Sequence, residues 1–178
     1  SSHTVGPMRI ARRFVRGLEK AGELPRVARV SVELQGSLAL TGVGHGTVDA
    51  TILGLMGFQP ERTDPDEAAA ALRRSEADTS LSLAGRRTIG FERASDIDLA
   101  GHVIPELHPN GMVLRAFDDD GATIRERTYY STGGGFVASE KQLRDPPKDD
   151  RVKAGARVPH PFGSAQELLA LCARLDLT

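Results

Sequence analysis

The sequence predicts an α+β fold in which helices pack on a mixed or antiparallel sheet. In the first part of the chain, apolar residues recur with the 3.6-residue period of helices, and one strand interrupts them. From about residue 80 to residue 130 the period changes to two, which is typical of strands. A helix, a strand, two helices and then several strands form an order typical of α+β domains.

The first helix is expected to begin at about Pro7, a residue that suits a first helical turn, and to end near Gly22. Two faces separate along it. The apolar face consists of Met8, Ile10, Ala11, Phe14, Val15, Leu18 and Ala21, and the basic face of Arg9, Arg12, Arg13, Arg16 and Lys20. Exposed cationic faces are usually only solvated, so the basic face alone predicts no function.

Three further elements follow the first helix. Residues 27–34 alternate between apolar and polar side chains and predict a strand with one buried face. Residues 48–57 are apolar nearly all round, which indicates a buried helix that stops at Gly57. Asp64 has the character of an N-cap before a more exposed helix that includes residues 68–74.

Short alternating segments then predict the strands of the sheet. They cover residues 80–84, 88–93, 112–117 and 123–130. Asp119-Asp120-Gly121 joins the last two as a hairpin, because Asp and Gly tolerate the backbone conformations that tight turns require.

Composition excludes several classes of function. The chain has 178 residues, a length typical of one domain with or without a tail, and a net charge of -1, which does not favour nucleic acid or an anionic membrane as a partner. Its one cysteine, Cys172, cannot form an internal disulfide or supply the thiolates of an iron–sulfur cluster. No apolar run is long enough to span a membrane, so a cytoplasmic protein is expected.

The last part of the chain differs in composition from the rest. Residues 145–150 form a polar, proline-broken linker, and Ser164 is expected to cap a short amphipathic helix over residues 165–175. The chain opens on Ser1 without a methionine, and its final helix ends as though more chain should follow. We therefore expect a piece of a longer protein, with a domain over residues 1–144 and a linker with a helix over 145–178.

Four short segments carry polar groups that folding alone does not require. Residues 1–7 place three hydroxyls and His3 just ahead of a helix N-terminus, where backbone N–H groups and the helix dipole favour a carboxylate. Residues 36–47 form a glycine-rich bridge that holds His45 at its bend. Each has a purely structural alternative, namely an ordinary N-cap and tight turn packing. The bridge is not a phosphate-binding motif, because no lysine follows its glycines and it lacks a third spaced glycine.

The other two segments lie among the strands. His108-Pro109-Asn110-Gly111-Met112 is a turn in which proline restricts the backbone beside an imidazole and an amide, although a plain Asn-Gly turn explains it equally well. Residues 129–136 contain Gly133, Gly134 and Gly135 in succession at a strand end. Since each glycine weakens a strand, this run predicts a close backbone contact.

Together these motifs resemble the N-terminal (β) domain of bacterial iron–sulfur L-serine dehydratases. The resemblance spans about residues 1–140 and rests on Ser-Ser-His-Thr-Val-Gly-Pro-Met, Gly-Ser with Thr-Gly-X-Gly-His, His-Pro-Asn-Gly-Met and Tyr-Ser-X-Gly-Gly-Gly-Phe, in this order. The helix after Ser164 also resembles the segment that joins the β domain to the catalytic α domain in single-chain members. The implied fold is similar to the allosteric substrate-binding domain of phosphoglycerate dehydrogenases.

The resemblance implies conversion of L-serine to pyruvate and ammonia. In that family a [4Fe–4S] cluster held by α-domain cysteines acts on the substrate hydroxyl, and a base removes the Cα proton. Carried over, His3 is the base and His108 with Asn110 completes the pocket. Ser1, Ser2 and Thr4 bind the substrate carboxylate. His45 and the three glycines, Gly133, Gly134 and Gly135, are expected to lie near these residues, around the start of the first helix.

The resemblance further implies three partners: the α domain of the same chain, L-serine, and a second copy in a homodimer. This chain itself is expected to bind no metal and to be inactive alone. Two departures from the family are visible. The usual Gly-Pro-Ser before the first motif is missing, and Val48 separates Thr47 from Asp49, so Asp49 receives no role. A regulatory serine-binding module and a dimerisation domain remain alternatives to a catalytic role.

Overall fold

The computed structural model describes residues 1–145 and 159–176. The chain divides into two compact units, Ser1–Pro146 and Pro147–Thr178. The first unit holds helices packed on a mixed sheet, so the α+β prediction is confirmed. In the second, helix α7 (Ala165–Arg174) begins at the expected N-cap, since Ser164 Oγ accepts a hydrogen bond from Glu167 N. Nearly all of the predicted linker lies outside the described residues.

The first unit contains six helices and seven strands among its described residues. The helices are α1 (Val5–Lys20), α2 (Ser37–Leu40), α3 (Thr47–Leu55), α4 (Pro65–Ala77), α5 (Arg93–Asp96) and α6 (Glu140–Arg144). The strands are β1 (Arg29–Gln35), β2 (Ser80–Leu83), β3 (Arg87–Gly90), β4 (Ile97–Ala100), β5 (Gly111–Phe117), β6 (Thr123–Gly133) and β7 (Phe136–Ser139).

Five strands form the main sheet in the order β4-β1-β5-β6-β7. Strand β1 pairs in parallel with β4, with Val32 opposite Ile97, and antiparallel with β5. The remaining neighbours are antiparallel, and β2 and β3 form a separate two-stranded sheet. The polypeptide between β1 and β4 carries four helices, α2 to α5. Because β1 and β4 are parallel, the loops that follow them lie at the same edge of the sheet.

The core lies between the helices and one face of the sheet. From α1, Ile10, Phe14 and Leu18 are buried against strand residues such as Val32 and Leu114. The opposite face carries an ion-pair network, in which Arg115 lies 2.6 Å from Glu126 and 3.2 Å from Glu33. Because side chains alternate between the two faces of a strand, this polar face follows directly from the alternation in the sequence.

Helices α1 and α3 approach each other closely at Gly54. A Cβ atom at Gly54 would lie 2.3 Å from Met8 O and 2.9 Å from the Cβ of Ala11. Only a residue without a side chain fits between the two helices at this position. This contact fixes the height of α3 beside α1, and therefore positions Thr47 at the start of α3 beside the start of α1.

Several predicted local features are present. Asp64 Oδ1 accepts hydrogen bonds from the backbone N of Asp66 and Glu67, as expected of the N-cap of α4. The hairpin between β5 and β6 turns at Gly121, whose φ is +80°. The first helix begins at Val5 and ends at Lys20, about two residues earlier at each end than its pattern predicted.

Other elements differ from the prediction. The strand expected over residues 88–93 ends at Gly90, because Asp96 Oδ2 accepts from Glu92 N and supports the short helix α5. The glycine-rich segment 36–47 is not a plain bridge, since it contains α2 and a 3₁₀ turn at Val43–His45. Strand β4 and strand β7 were not predicted. Each has only four residues, too few to show a clear two-residue period.

Candidate active site

The imidazole of His3 lies between two serine hydroxyls. Its Nδ1 is 2.8 Å from Ser2 Oγ, and its Nε2 is 3.0 Å from Ser37 Oγ at the start of α2. A hydroxyl rotates freely and can donate or accept, so this pair suits either neutral tautomer of the ring. The same two oxygens can accept N–H bonds from both nitrogens after protonation. The ring is therefore held in one place in both of its charge states.

Buried hydroxyls also hold the main chain of this N-terminal segment. Thr47 Oγ1 donates to His3 O at 2.6 Å, and Ser131 Oγ donates to Ser2 O at 2.6 Å. Both Thr47 and Ser131 are fully buried. Thr4 Oγ1 donates to His45 O at 3.0 Å, and Ser1 Oγ donates to Thr4 Oγ1 at 3.2 Å. Residues 1–4 are thus fixed by groups from α3, β6 and the glycine-rich segment.

A second histidine faces the first. The rings of His3 and His45 have centroids 5.1 Å apart and are tilted by 39°. His45 is exposed, and its Nδ1 is 2.8 Å from Thr41 O, a carbonyl that can only accept. Nδ1 of His45 therefore carries the hydrogen of the neutral ring, which leaves Nε2 as its free acceptor.

The loop at His108 is joined to Ser37 through the backbone. Pro109 O accepts a hydrogen bond from Ser37 N at 3.0 Å. Gly36, with φ +53°, lies so close that a Cβ there would be 2.4 Å from Pro109 O. Because an L-residue would be both strained and in collision at this position, Gly36 is required for the contact. The His108 loop and the His3 ring are therefore connected by way of Gly36 and Ser37.

Within that loop, Asn110 is buried and directed toward β6. Its Nδ2 donates to Ser131 O at 3.1 Å, and its backbone O accepts from Ser131 N at 3.0 Å. The backbone N of Asn110 donates to Nδ1 of His108 at 3.2 Å. Asn110 thus braces Ser131, the residue that anchors Ser2, and its part in binding a substrate stays a prediction.

The three glycines make the turn between β6 and β7. Gly133, Gly134 and Gly135 have φ values of +104°, +57° and +80°, a region that favours glycine at every one of these positions. A Cβ on Gly135 would lie 2.7 Å from Cγ1 of Val5, and Arg9 donates to Gly135 O at 2.6 Å. Gly135 therefore packs on the first turns of α1, whereas Gly134 is exposed.

Comparison with known proteins agrees with this arrangement of motifs. Residues 1–142 match the family model described as serine dehydratase beta chain. The chain belongs to this family.

Relatives of this β chain include enzymes from several bacteria. It is 42% identical to the L-serine dehydratase of Streptomyces coelicolor and 39% identical to that of Mycobacterium tuberculosis. It is also 41% identical to L-serine dehydratase 1 of Escherichia coli. The alignments cover 97% to 100% of this chain but only 37% to 38% of the relatives. The chain therefore spans little more than a third of their length.

Three residues of the β chain that hold Ser2 and His3 in place were not predicted as site residues, namely Ser37, Thr47 and Ser131. Each is a hydroxyl next to or near a glycine inside one of the four motifs. A hydroxyl close to a glycine inside a motif was the feature of the sequence that could have identified them. A hydroxyl beside a glycine is common, however, and only the fold shows that these three point at residues 2 and 3.

A cavity in the described part of the β chain is lined by residues other than those of the His3 cluster. It has a volume of about 790 Å³, and Gly42, Val43 and Gly46 contribute to its lining, whereas His3, His108 and Asn110 do not. Asp49 faces it, and Oδ1 of Asp49 lies 2.7 Å from a terminal nitrogen of Arg93 without the alignment of a hydrogen bond. Asp49 therefore belongs to a surface ion pair and takes no part in holding His3.

The described residues of the β chain offer no ready-made metal centre. Across residues 1–145 and 159–176, no group of three or more His, Cys, Asp or Glu side chains is arranged to hold a metal ion. The only cysteine in the sequence, Cys172, is half-buried in the second unit. One thiolate does not fit a [4Fe–4S] cluster, which needs three or four. No helix in these ranges is long and apolar enough to cross a bilayer.

The β chain should lose stability in mild acid through His108. Partial burial lowers the pKa of His108 below its ordinary value of 6.5. The unfolded chain then binds a proton that the folded chain resists, so folding stability is complete above about pH 6.5 and falls as the pH drops through and below it. We expect Tm to decrease more between about pH 7.5 and 5.5 in the parent than in His108→Asn, whose Oδ1 can still accept from Asn110 N. Parallel Tm curves would contradict the assignment.

Proposed function

We propose that this chain is the β part of an iron–sulfur L-serine dehydratase that converts L-serine to pyruvate and ammonia. The observation that carries the proposal is the His3 ring, held between Ser2 and Ser37 at the start of α1. In this proposal residues 1–144 form the β domain, and residues 145–178 lead toward a catalytic α domain. The membership of the chain in the serine dehydratase beta-chain family supports the substrate class.

His3 is the general base of the proposed reaction. Deprotonation of serine at Cα requires a general base, and the unprotonated nitrogen of a neutral imidazole can act as one. When the ring accepts the proton, the oxygens of Ser2 and Ser37 both accept N–H bonds from it. These two contacts keep the ring in the same position when it takes up the proton.

The start of α1 binds the substrate carboxylate in this proposal. The positive end of the helix dipole lies there, and it stabilises an anion by about 0.3–1 kcal/mol at an exposed site. Ser1 and Thr4 add hydroxyl groups at the same place, and both are exposed. His108 and Asn110 complete the pocket, with the free acceptor of His45 Nε2 close to His3.

The iron–sulfur cluster belongs, in this proposal, to a part of the full-length protein outside this chain. One cysteine cannot hold it, and the relatives are much longer than the chain. The chain then supplies a base and a carboxylate site but not the group that activates the leaving hydroxyl. Its alignment with little more than a third of each relative supports such a half site. A homodimer is likewise implied by the resemblance and stays a prediction.

Activity should require both parts. We expect the full-length protein, prepared without oxygen, to form pyruvate from L-serine. The 178-residue chain alone should form none, even after iron and sulfide are supplied. Pyruvate is measured by coupled reduction, and cluster content by visible absorbance. Pyruvate from the chain alone, or none from a cluster-loaded full-length protein, would overturn the proposal.

A calorimetric titration separates the roles further. The chain alone, titrated with L-serine, tests whether residues 1–4 and the His108 loop already form a binding surface. If the parent chain gives a binding heat with L-serine and Ser37→Ala does not, serine binds at the His3 cluster. If the binding heat remains in Ser37→Ala but is lost when Arg93 is changed, serine binds in the separate cavity, which Arg93 lines. That result would favour the regulatory alternative.

A further inference from the structure

A basic groove runs along the outer face of α1, away from the His3 cluster. It has a volume of about 470 Å³, within the range of small-molecule sites. Arg9, Arg12, Arg13, Arg16 and Lys20 line it, together with Gly17, Pro60, Glu61 and Tyr129. Five cations face one carboxylate in a chain whose net charge is -1. The groove therefore concentrates positive charge that the rest of the chain does not share.

Three of the five cations are held in place by the protein. Arg9 is paired with Glu61 and donates to Gly135 O, and Arg12 donates through Nε to Gly57 O. Arg13 donates to Gln142 Oε1, and its guanidinium lies 5.2 Å from the centroid of the Tyr129 ring. An arginine has five N–H donors, so each keeps donors that these contacts do not use. Such pre-ordered side chains lose less entropy when they bind a ligand.

The other two cations have no ionic partner among the described residues. Arg16 and Lys20 are exposed and follow the first three along the same helix face. Like charges at a spacing of three or four residues destabilise a helix by a few tenths of a kcal/mol per pair. Arg16 and Lys20 therefore add like-charge repulsion to α1, and no ion pair with a described residue offsets it. Gly17, which has no side chain, lies between them in the sequence and also lines the groove.

We propose that this groove binds a small molecule with two or more linked phosphate groups. Guanidinium groups match phosphate oxygens in geometry and charge, and several of them in a row favour adjacent anionic groups over a single one. From Arg9 to Lys20 the helix rises by about 16 Å, so the cations extend over more than the length of one phosphate group. Tripolyphosphate and nucleoside triphosphates share this chemistry.

The experiment uses the 178-residue chain with sodium tripolyphosphate, ATP and orthophosphate as probes. We expect saturable binding of tripolyphosphate with one molecule per chain, a rise in Tm, and much weaker binding of orthophosphate. The double variant Arg16→Gln/Lys20→Gln should weaken tripolyphosphate binding by about tenfold or more, since each residue loses a hydrogen bond to a charged group. Neither side chain makes a hydrogen bond or an ion pair with a described residue, and both are exposed, so the double variant should keep the fold. If ATP bound more tightly than tripolyphosphate, the proposal would stand and the groove would also contact the nucleoside.

The matched control is Arg73→Gln/Arg74→Gln, which removes the same charge from the exposed face of α4. It should leave the affinity within about twofold of the parent at the same ionic strength. Equal weakening by the two double variants would mean that only net charge matters and would overturn the proposal. The proposal would also be overturned if tripolyphosphate did not raise Tm. It would be overturned as well if the chain associated with itself through the groove and added salt abolished that association.

Discussion

Replacement of His3 by alanine in the full-length protein is expected to lower kcat for L-serine by about 10²–10⁴-fold, the range typical of a lost general base. Both nitrogens of His3 contact serine hydroxyls, which hold the ring in place. Steady-state kinetics at matched cluster content measures the effect. Ser37→Ala should lower kcat less, because Ser37 acts only through the ring.

His102 provides the matched control for His3. It is an exposed histidine that makes no hydrogen bond through its ring to any described residue, and His102→Ala should keep kcat close to the parent value. If His3→Ala reached the parental kcat at saturation and differed only in cooperativity, His3 would not be the base. The regulatory alternative would then account for the site.

Substitution of Gly54 by alanine is expected to lower the free energy of unfolding of the 178-residue chain by about 1–3 kcal/mol. The added Cβ would meet Met8 O at 2.3 Å, and a backbone carbonyl inside a helix cannot rotate away. Helices α1 and α3 would have to separate, which also moves Thr47 from His3 O. For a chain of this length, Tm should fall by about 2–4 °C for each kcal/mol. Urea denaturation followed by circular dichroism gives the free energy.

Gly17→Ala is the control for this substitution. Gly17 also lies inside a helix, but the nearest atom to a Cβ there would be Nη1 of Arg125, 3.4 Å away at the end of a flexible side chain. Alanine favours a helix by up to about 1 kcal/mol over glycine, so Gly17→Ala should raise stability. If Gly54→Ala also raised it, the close approach of α1 and α3 would not be a determinant of the fold.

The long elements could be predicted from the sequence because their periods are clear. Helix α1 and strand β1 each bury a regular set of residues, and hydrophobic burial is what the period records. The parallel pairing of β4 with β1 could not be predicted. It joins Val32 to Ile97 across more than sixty residues, and the four residues of β4 gain their strand conformation from β1 alone.

The candidate site was accessible to sequence reasoning in its motifs but not in its contacts. Each motif predicted a polar loop, and the resemblance to the family predicted that the four loops belong to one site. The sequence did not show in which direction the side chains of these loops point. Nothing in the motif at Asn110 indicates that its amide contacts Ser131 O, or that Thr47 supports His3 through a backbone carbonyl. Side-chain directions of this kind depend on how the helices and the sheet pack together.

The hydrogen bond from Ser131 to Ser2 closes a loop that contains nearly the whole first unit. Its two residues are 129 positions apart, compared with 34 for Ser37 and His3. The entropy lost in closing so long a loop exceeds what one hydroxyl contact returns, so this bond forms only after the sheet has already brought β6 beside α1. The His3 cluster is therefore assembled at the end of folding, and a partly folded chain does not yet present it.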